Sequence, residues 1–307
     1  EQSRSEISRL SGLVQSHVND EAQKLASAAQ MTAARKELAE AISRGDTAFV
    51  QKLGKDVMRD SRISLITIAD KEGKVVGRGH SEKAGDSVLS QSNVRKALAG
   101  DVSTGIEEGT VVKFSMRAGA PVKHDGKIVG TVTTGTDLTS ADHAFVEGIK
   151  KEFGTECTIF QGDARVTTTL LKDGQRAVGT KMDNPKVLDA VIAKGQPFLD
   201  VNMILGREYD TAYWPVKDHT GKVAGMFFIG KDRSVLYATL KSAMLVVLAI
   251  VAVVGLVMVG AGIFIARSIA RPVQQVIHGL TDSSEQFISV SGQVSSASQS
   301  LAEGSSE

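Results

Sequence analysis

The chain writes GKIVGTVTTGTDL at 126–138 and answers it with GKVAGMFFIGKDR at 221–233. Gly126, Gly130 and Gly135 stand 95 residues before Gly221, Gly225 and Gly230, and Gly100 stands the same distance before Gly195. Pro121 and Pro215 are one residue closer, the slip taken up by Thr220 in the second turn. A period of that length is a domain rather than a solenoid repeat. Each phrase opens on a Gly turn and continues as a β-rich run, which predicts a strand. Shared glycines inside such strands imply tight turns and close backbone approach.

Working outward, ISLITIA from Ile63 reads as a strand, DKEG as its turn and KVVGRG as a returning strand. SNVRKALAG predicts a short helix ending at Gly100, and VVKFSMRAG, APVKHDG and KIVGTVTTG predict three further strands joined by Gly-containing turns. Hairpin-length connections mean an antiparallel sheet. DAVIAKG answers RKALAG as a helix end, so 145–230 repeats the architecture of 63–137. Ahead of both, Ile7, Leu10, Val14, Val18, Leu25 and Ala29 form a helical stripe, predicting helix over 1–44. Gly45-Asp46 reads as a stop and a new N-cap, with a second helix to about Asp60.

Residues 243–266, AMLVVLAIVAVVGLVMVGAGIFIA, carry no charge and are long enough to span a hydrocarbon core of ~30 Å. Lys241 precedes the span while Arg267 and Arg271 follow it, which places the C-terminal side in the cytoplasm. The opening, EQSRSEISRL, reads as polar helix rather than a leader, so further sequence is expected before it. Beyond the span Pro272 is placed to open a helix. Val273, Leu280, Phe287, Val294 and Leu301 then recur every seventh residue, with Val276, Ser283, Val290 and Ala297 at the partner positions. That pattern predicts a self-associating coiled coil.

Lys plus Arg (36) balances Asp plus Glu (35), and no basic stripe argues for nucleic acid. Cys157 is the only cysteine, which rules out an intramolecular disulfide and a multi-cysteine metal site, and its ECTIF context reads as core. The six histidines lack metal-ligand spacing, and no nucleophile or nucleotide-binding motif is present. No catalytic role, cofactor or metal is expected.

Binding is a different matter. Arg78 and His80 stand two apart after a strand, and Arg117 comes from a later strand with Lys113 four residues before it. Thr133 and Thr134 offer hydroxyls, one on each face of the last strand. A guanidinium fork with an imidazole beside it suits a carboxylate. The alternative for both arginines is a solvated or salt-bridged place on the surface. In the second unit Tyr209, Thr211 and Tyr213 alternate onto one face, and their expected role is core packing in a unit that relays motion, with an aromatic-lined pocket as the alternative.

The motifs DKEGKVVGRGH, AGDSV, RAGAPVKHDGKIVGTVTTGTDL and WPVKDHTGKVAGMFFIGKD together resemble the extracytoplasmic double-Cache sensor module over roughly 1–235. ARSIARPV resembles the start of a HAMP linker, without the connector of a full one, and SGQVSSASQSLAEGSSE resembles the lead into the methylated helices of bacterial chemotaxis transducers. The resemblance implies an α+β fold of two tandem PAS-like units with antiparallel sheets. Its segments are N-terminal helices over 1–62, a membrane-distal Cache unit over 63–142, a membrane-proximal unit over 143–235, a connecting and transmembrane helix over 236–266 and a HAMP-like coiled-coil segment over 267–307. It implies an inner-membrane homodimeric receptor, not an enzyme, with 1–242 periplasmic and 267–307 cytoplasmic, reaching a chemotaxis kinase and adaptor through methylation helices expected beyond Glu307. Sensors for citrate and C4-dicarboxylates imply a ligand set of Arg78, His80, Ser115, Arg117 and Thr133, to which the strand reading adds Lys113. The Arg–His spacing is one residue shorter than in those sensors, and Gly119 stands where they have a lysine, which points to a smaller or singly charged carboxylate. A histidine kinase or nucleotide cyclase would use the same sensor, and a membrane-anchored structural protein would bind no ligand.

Overall fold

The computed structural model describes the backbone of residues 2–304. Residues 1–235 form one compact unit and 236–307 another. Within the first, the helices are α1 (Gln2–Ala33), α2 (Lys36–Arg44), α3 (Thr47–Ser61), α4 (Ser92–Leu98) and α5 (Ala144–Phe153). A short α6 (Pro185–Val187) runs on as a π-helical turn, Leu188–Ala193. The strands are β1 (Leu65–Asp70), β2 (Val75–Arg78), β3 (Ser103–Glu108), β4 (Phe114–His124), β5 (Lys127–Asp137), β6 (Glu156–Gln161), β7 (Ala164–Thr168), β10 (Phe198–Ile204), β11 (Arg207–Lys217) and β12 (Val223–Asp232). A two-stranded hairpin, β8 (Leu171–Lys172) and β9 (Gln175–Arg176), was not foreseen from the sequence.

The repeated phrase is a repeated sheet. One sheet runs β2-β1-β5-β4-β3 and the other, read from its far edge, β7-β6-β12-β11-β10. All the pairings are antiparallel. The shared glycines hold equivalent places. Gly130 pairs Asp70 and Val122, as Gly225 pairs Gln161 and Val216. A Cβ at Gly130 would lie 2.3 Å from the carbonyl oxygen of Ala69, and at Gly225 it would overlap that of Phe160, 1.9 Å away.

The helical stripe of α1 does what its spacing predicts: Ile7, Val14, Leu25 and Ala29 are buried. Helix α1 packs on strands of both sheets. Thr134 Oγ1 donates to the Leu25 carbonyl over 2.7 Å, which fixes the helix to the centre of the first sheet. Gly45 ends α2 in the left-handed region and the Asp46 carboxylate caps α3 at the Phe49 amide, as read from the sequence. The predicted single helix over 1–44 is broken at Arg35, whose extended backbone lets α2 bury Leu38, Ala39, Ala41 and Ile42. No Gly or Pro marks that break; tertiary packing sets it.

Two further differences concern strands. VVKFSMRAG and APVKHDG form one strand, β4, and the edge strand β3 was not predicted. Gly119 lies inside β4 because α4 comes so close that a Cβ there would sit 2.6 Å from the Asn93 carbonyl oxygen. Cys157 is fully buried among core residues, and burial pushes its thiol up, as expected of a core cysteine.

Beyond the two sheets, helix α7 (Arg233–Gly304) runs on through the described part of 236–307. It holds the one stretch among the described residues long and apolar enough to cross a membrane, with exposed Val, Leu, Ile and Phe along it. The helix continues through Pro272 rather than restarting there, because a proline in a helix removes one N–H and need not end it. The heptad residues Val273, Leu280, Phe287 and Val294 are exposed on it. The side chain of Leu301 and residues 305–307 lie outside the described residues.

Candidate functional site

Residues opposite one another on neighbouring strands share a face of the sheet. Arg78 pairs Thr67, Thr67 pairs Thr133 and Thr133 pairs Gly119; two residues along, Arg117 pairs Gly135 and Ser115 pairs Asp137. Arg78, Ser115, Arg117 and Thr133 therefore stand on one face of the first sheet. Helix α4 covers it, and Asn93 Nδ2 donates to Thr133 Oγ1 over 2.7 Å. Thr134 points to the other face, against α1.

Arg78 and Arg117 are 2% and 5% exposed, so neither is a solvated surface arginine. Both reach the loop between β3 and β4: Arg78 Nη2 donates to Thr110 Oγ1 (3.2 Å) and Arg117 Nη2 to the Val112 carbonyl (3.0 Å). Their partners otherwise differ. Arg78 grips Asp86 with two hydrogen bonds of 2.7 and 3.0 Å and donates to the Lys83 carbonyl. That guanidinium holds the Asp86 carboxyl down at about 2. Arg117 donates from Nε to Ser115 Oγ (2.7 Å), from Nη1 to Gln91 Oε1 (2.8 Å) and from Nη2 to Val112, all neutral acceptors. Burial, only partly offset by the field of Glu107, lowers Arg117 to about 10, and the charge of Arg78 adds to the fall.

His80 follows a bend after β2, with Nδ1 3.0 Å from the Ile66 carbonyl oxygen. Burial, and then the charges of Arg78 and Arg117, bring it down to about 4, so the imidazole is neutral at ordinary pH. Lys113 does not join this group: it precedes β4 in the loop and is exposed.

Replacing Asp86 by Asn leaves Arg78 buried without a carboxylate. Asp86 is itself part-exposed, so the loss expected is about 2 kcal/mol, below that of a fully buried pair. Thermal unfolding of Asp86→Asn by circular dichroism checks it.

Spacing alone does not reveal several residues that complete the site. Gln91 and Asn93 flank Ser92 at the start of α4, and Glu107 accepts from the amides of Ser92 (2.5 Å) and Asn93 (3.0 Å). Against Glu107 lies His219, from the β11–β12 turn of the second sheet unit. Its Nε2 is 3.4 Å from the carboxylate and its Nδ1 is 3.1 Å from Ser103 Oγ. Gly105 makes room for this turn: a Cβ there would lie 2.8 Å from the His219 amide nitrogen. A continuous set of contacts thus leads from Arg117 through Gln91, α4 and Glu107 to the second unit.

In the second unit the equivalent face is filled. Tyr209, Thr211 and Tyr213 alternate onto it as predicted, and all three are buried. Tyr213 packs against Phe228, ring centroids 5.0 Å apart. Trp214 turns to the opposite face and stacks on Phe227.

Two family models, both described as single cache domain 3, match this chain, one over residues 14–150 and the other over 136–243. A search of curated proteins found no match. Among solved structures, the ligand-binding domain of the Campylobacter jejuni chemoreceptor Tlp3 in complex with 4-methylisoleucine is similar at 16% identity and a TM-score of 0.50, covering 76% of this chain and 92% of that one. The sensor domain of the V. cholerae histidine kinase DctB is similar at 11% identity and a TM-score of 0.48, covering 74% and 95%. A structure named Methyl-accepting Chemotaxis protein X is similar at 13% identity and 0.49, covering 75% and 97%. At these identities the likeness is one of fold. The two family matches fall in turn on the two sheets of one topology, so each sheet unit is similar to a single Cache domain, and a candidate membrane span follows in the chain.

Proposed function

We propose that this chain is the sensing and membrane-crossing part of a bacterial chemotaxis transducer, and that its first Cache unit binds a small carboxylate. The observation that carries the reading is Arg117, a buried guanidinium whose hydrogen-bond partners are all neutral. The fields of Glu107 and Asp137 offset its burial only in part, and a carboxylate bonded to it would offset the rest through paired, charge-assisted bonds. Arg78 already holds Asp86, so the site has one guanidinium to give, which favours a singly charged acid over a dicarboxylate. Ser115 and Thr133 supply hydroxyls beside it, and His80 a neutral imidazole.

Signalling follows from what the carboxylate competes with. It displaces the Val112 carbonyl or the Gln91 amide from Arg117, so loop 109–113 and the start of α4 shift together. Glu107, which accepts from that start, packs 3.4 Å from His219 Nε2, and the β11–β12 turn carries the shift into β12, whose chain enters α7 at Arg233. The ligand must favour one signalling state, and a coupling of ~1–3 kcal/mol is ample for a graded response. In this reading residues 1–242 are periplasmic and 243–266 cross the inner membrane. The heptad that begins at Val273, exposed at Val273, Leu280, Phe287 and Val294, pairs with a second copy, and the chain catalyses nothing itself.

The test is a thermal-shift series on the full chain in nanodiscs with acetate, propionate, lactate and malate. A monocarboxylate raises the melting temperature saturably, and Arg117→Ala abolishes that shift while the variant stays folded by circular dichroism. A shift that persists in Arg117→Ala discards the first unit as the binding site. A shift from none of the acids removes the carboxylate reading.

A further inference from the structure

Arg117 of the first unit is bonded at all three guanidinium nitrogens; a third buried arginine, in the second, is bonded at one. Arg165, in β7 of the second unit, is 6% exposed. Its guanidinium lies over the Phe160 ring, 5.0 Å from the centroid, which fixes the plane of the group and leaves its edges free. One edge is used: Nη1 donates to Thr180 Oγ1 (2.9 Å) and to the Lys181 carbonyl (3.1 Å). The buried Nε has no partner, and Nη2 makes no hydrogen bond. Nε and Nη2 form the edge with which a guanidinium pairs a carboxylate side-on.

Arg165 lines a cavity of about 200 Å³. Three further residues on its wall bear on what it takes. Tyr213, 2% exposed, brings a hydroxyl that makes no hydrogen bond among the described residues. Asp183 brings a carboxylate with neither an ion pair nor a side-chain hydrogen bond, although Arg165 feels its charge. Asn202 is held rigid, accepting from Asn184 (2.7 Å) and donating to Thr211 (2.6 Å). The lining thus offers a guanidinium edge, a phenol and a carboxylate close enough to act on both, with Lys172 and the Asp163-paired Lys181 also on it.

We infer that this cavity in the second Cache unit is a binding site for a small zwitterionic amino acid. The ligand carboxylate lies along Nε and Nη2 of Arg165 with the Tyr213 hydroxyl donating to it, and the ligand ammonium faces Asp183. The volume restricts the side chain to a few carbons. A plain amine leaves Arg165 bare, and a plain carboxylate leaves Asp183 unmatched. The inference stands on the second unit's own residues and holds whether or not the first unit binds an acid.

Isothermal titration of the full chain in nanodiscs tests it, with Arg117→Met present throughout to silence the first unit. The probes are glycine, L-alanine, L-serine and L-valine, with propionate and ethylamine as the halves of alanine. The expected result is saturable binding of at least one amino acid, at least tenfold tighter than either half. Arg165→Met abolishes it. Asp183→Asn weakens the amino acid about tenfold and leaves propionate unchanged. Should Arg165→Met unfold, Arg165→Lys keeps the charge without the fork and still loses tenfold or more. Amino-acid binding unaltered by either Arg165 variant overturns the site, as does no saturable binding of any of the four. Propionate binding as tightly as alanine overturns the zwitterion. A first-unit failure shows separately, as a carboxylate shift that Arg117→Ala does not remove.

Discussion

Gly225→Ala unfolds the second Cache unit far below the melting temperature of the parent chain. Gly225 is buried at the centre of its sheet, between Val216 of β11 and Gln161 of β6. The missing Cβ would stand 1.9 Å from the Phe160 carbonyl oxygen, and that atom is backbone, so no side-chain rotation relieves the overlap. The β6–β12 pair must separate, which strains the ladder and loosens the packing around Phe160 and Met226. The expected loss is about 3 kcal/mol, or about 6–12 °C in melting temperature for a region of this size. Gly221→Ala is the comparison: it has open space and only a left-handed φ of 87° to tolerate, so about 1 kcal/mol is expected. Trp214, the only tryptophan, lies in the same unit and reports the transition by fluorescence. Equal melting temperatures for Gly225→Ala and the parent would mean that the repeated glycine is not a packing constraint.

Those glycines explain why so much of the fold was legible. Backbone approach excludes a side chain whatever its neighbours are, so the requirement leaves the same letter at equivalent places in both units. Strand alternation carried a second part: it put Ser115 and Arg117 on one face and Tyr209, Thr211 and Tyr213 on another. What stayed hidden depends on contacts between distant segments. Nothing near Arg78 in the sequence says that Asp86, rather than a ligand, occupies its fork. The break at Arg35 carries no Gly or Pro, and β3 lacks a run of apolar residues because its Gly105 lies beneath the turn of the other unit. Lys113 was placed on the face of Arg117 by counting along a strand that begins one residue later. Arg165 in β7 and Asp183 just ahead of α6 come to one cavity across an irregular segment, where no periodicity points.

Between pH 6.5 and 4 the sensor region loses stability, and His219 is the main reason. Its side chain is wholly enclosed between the two Cache units. Burial brings it down to about 4, with the charges of Lys96 and Arg117 acting in the same direction and Asp218 against them. Glu107 lies within 3.4 Å, but its oxygens already accept from the Ser92 and Asn93 amides, so desolvation prevails and the folded imidazole is neutral. The sign follows. In the unfolded chain the group protonates near 6.5, so below that pH the unfolded state holds more protons and gains on the folded one. The contribution of neutral burial is full above about 6.5 and is progressively lost as pH falls toward 4. A depression of this size is worth on the order of 3 kcal/mol at the acid end. His80, also near 4, bends the curve in the same direction from inside the first unit. Asp86, held at about 2 by Arg78, adds to the fall only at the acid end of this window, where its unfolded carboxyl begins to protonate while the folded one does not. Urea unfolding of the full chain at intervals from pH 7.5 to 4 should therefore show a falling midpoint. His219→Gln lowers the midpoint at pH 7.5 but flattens the curve, and His80→Gln with it flattens the curve further. A His219→Gln chain with the parent's full acid slope would show that the contact between the two units is not governed by a neutral buried imidazole. The Glu107–His219 step of the proposed relay would then need another chemistry.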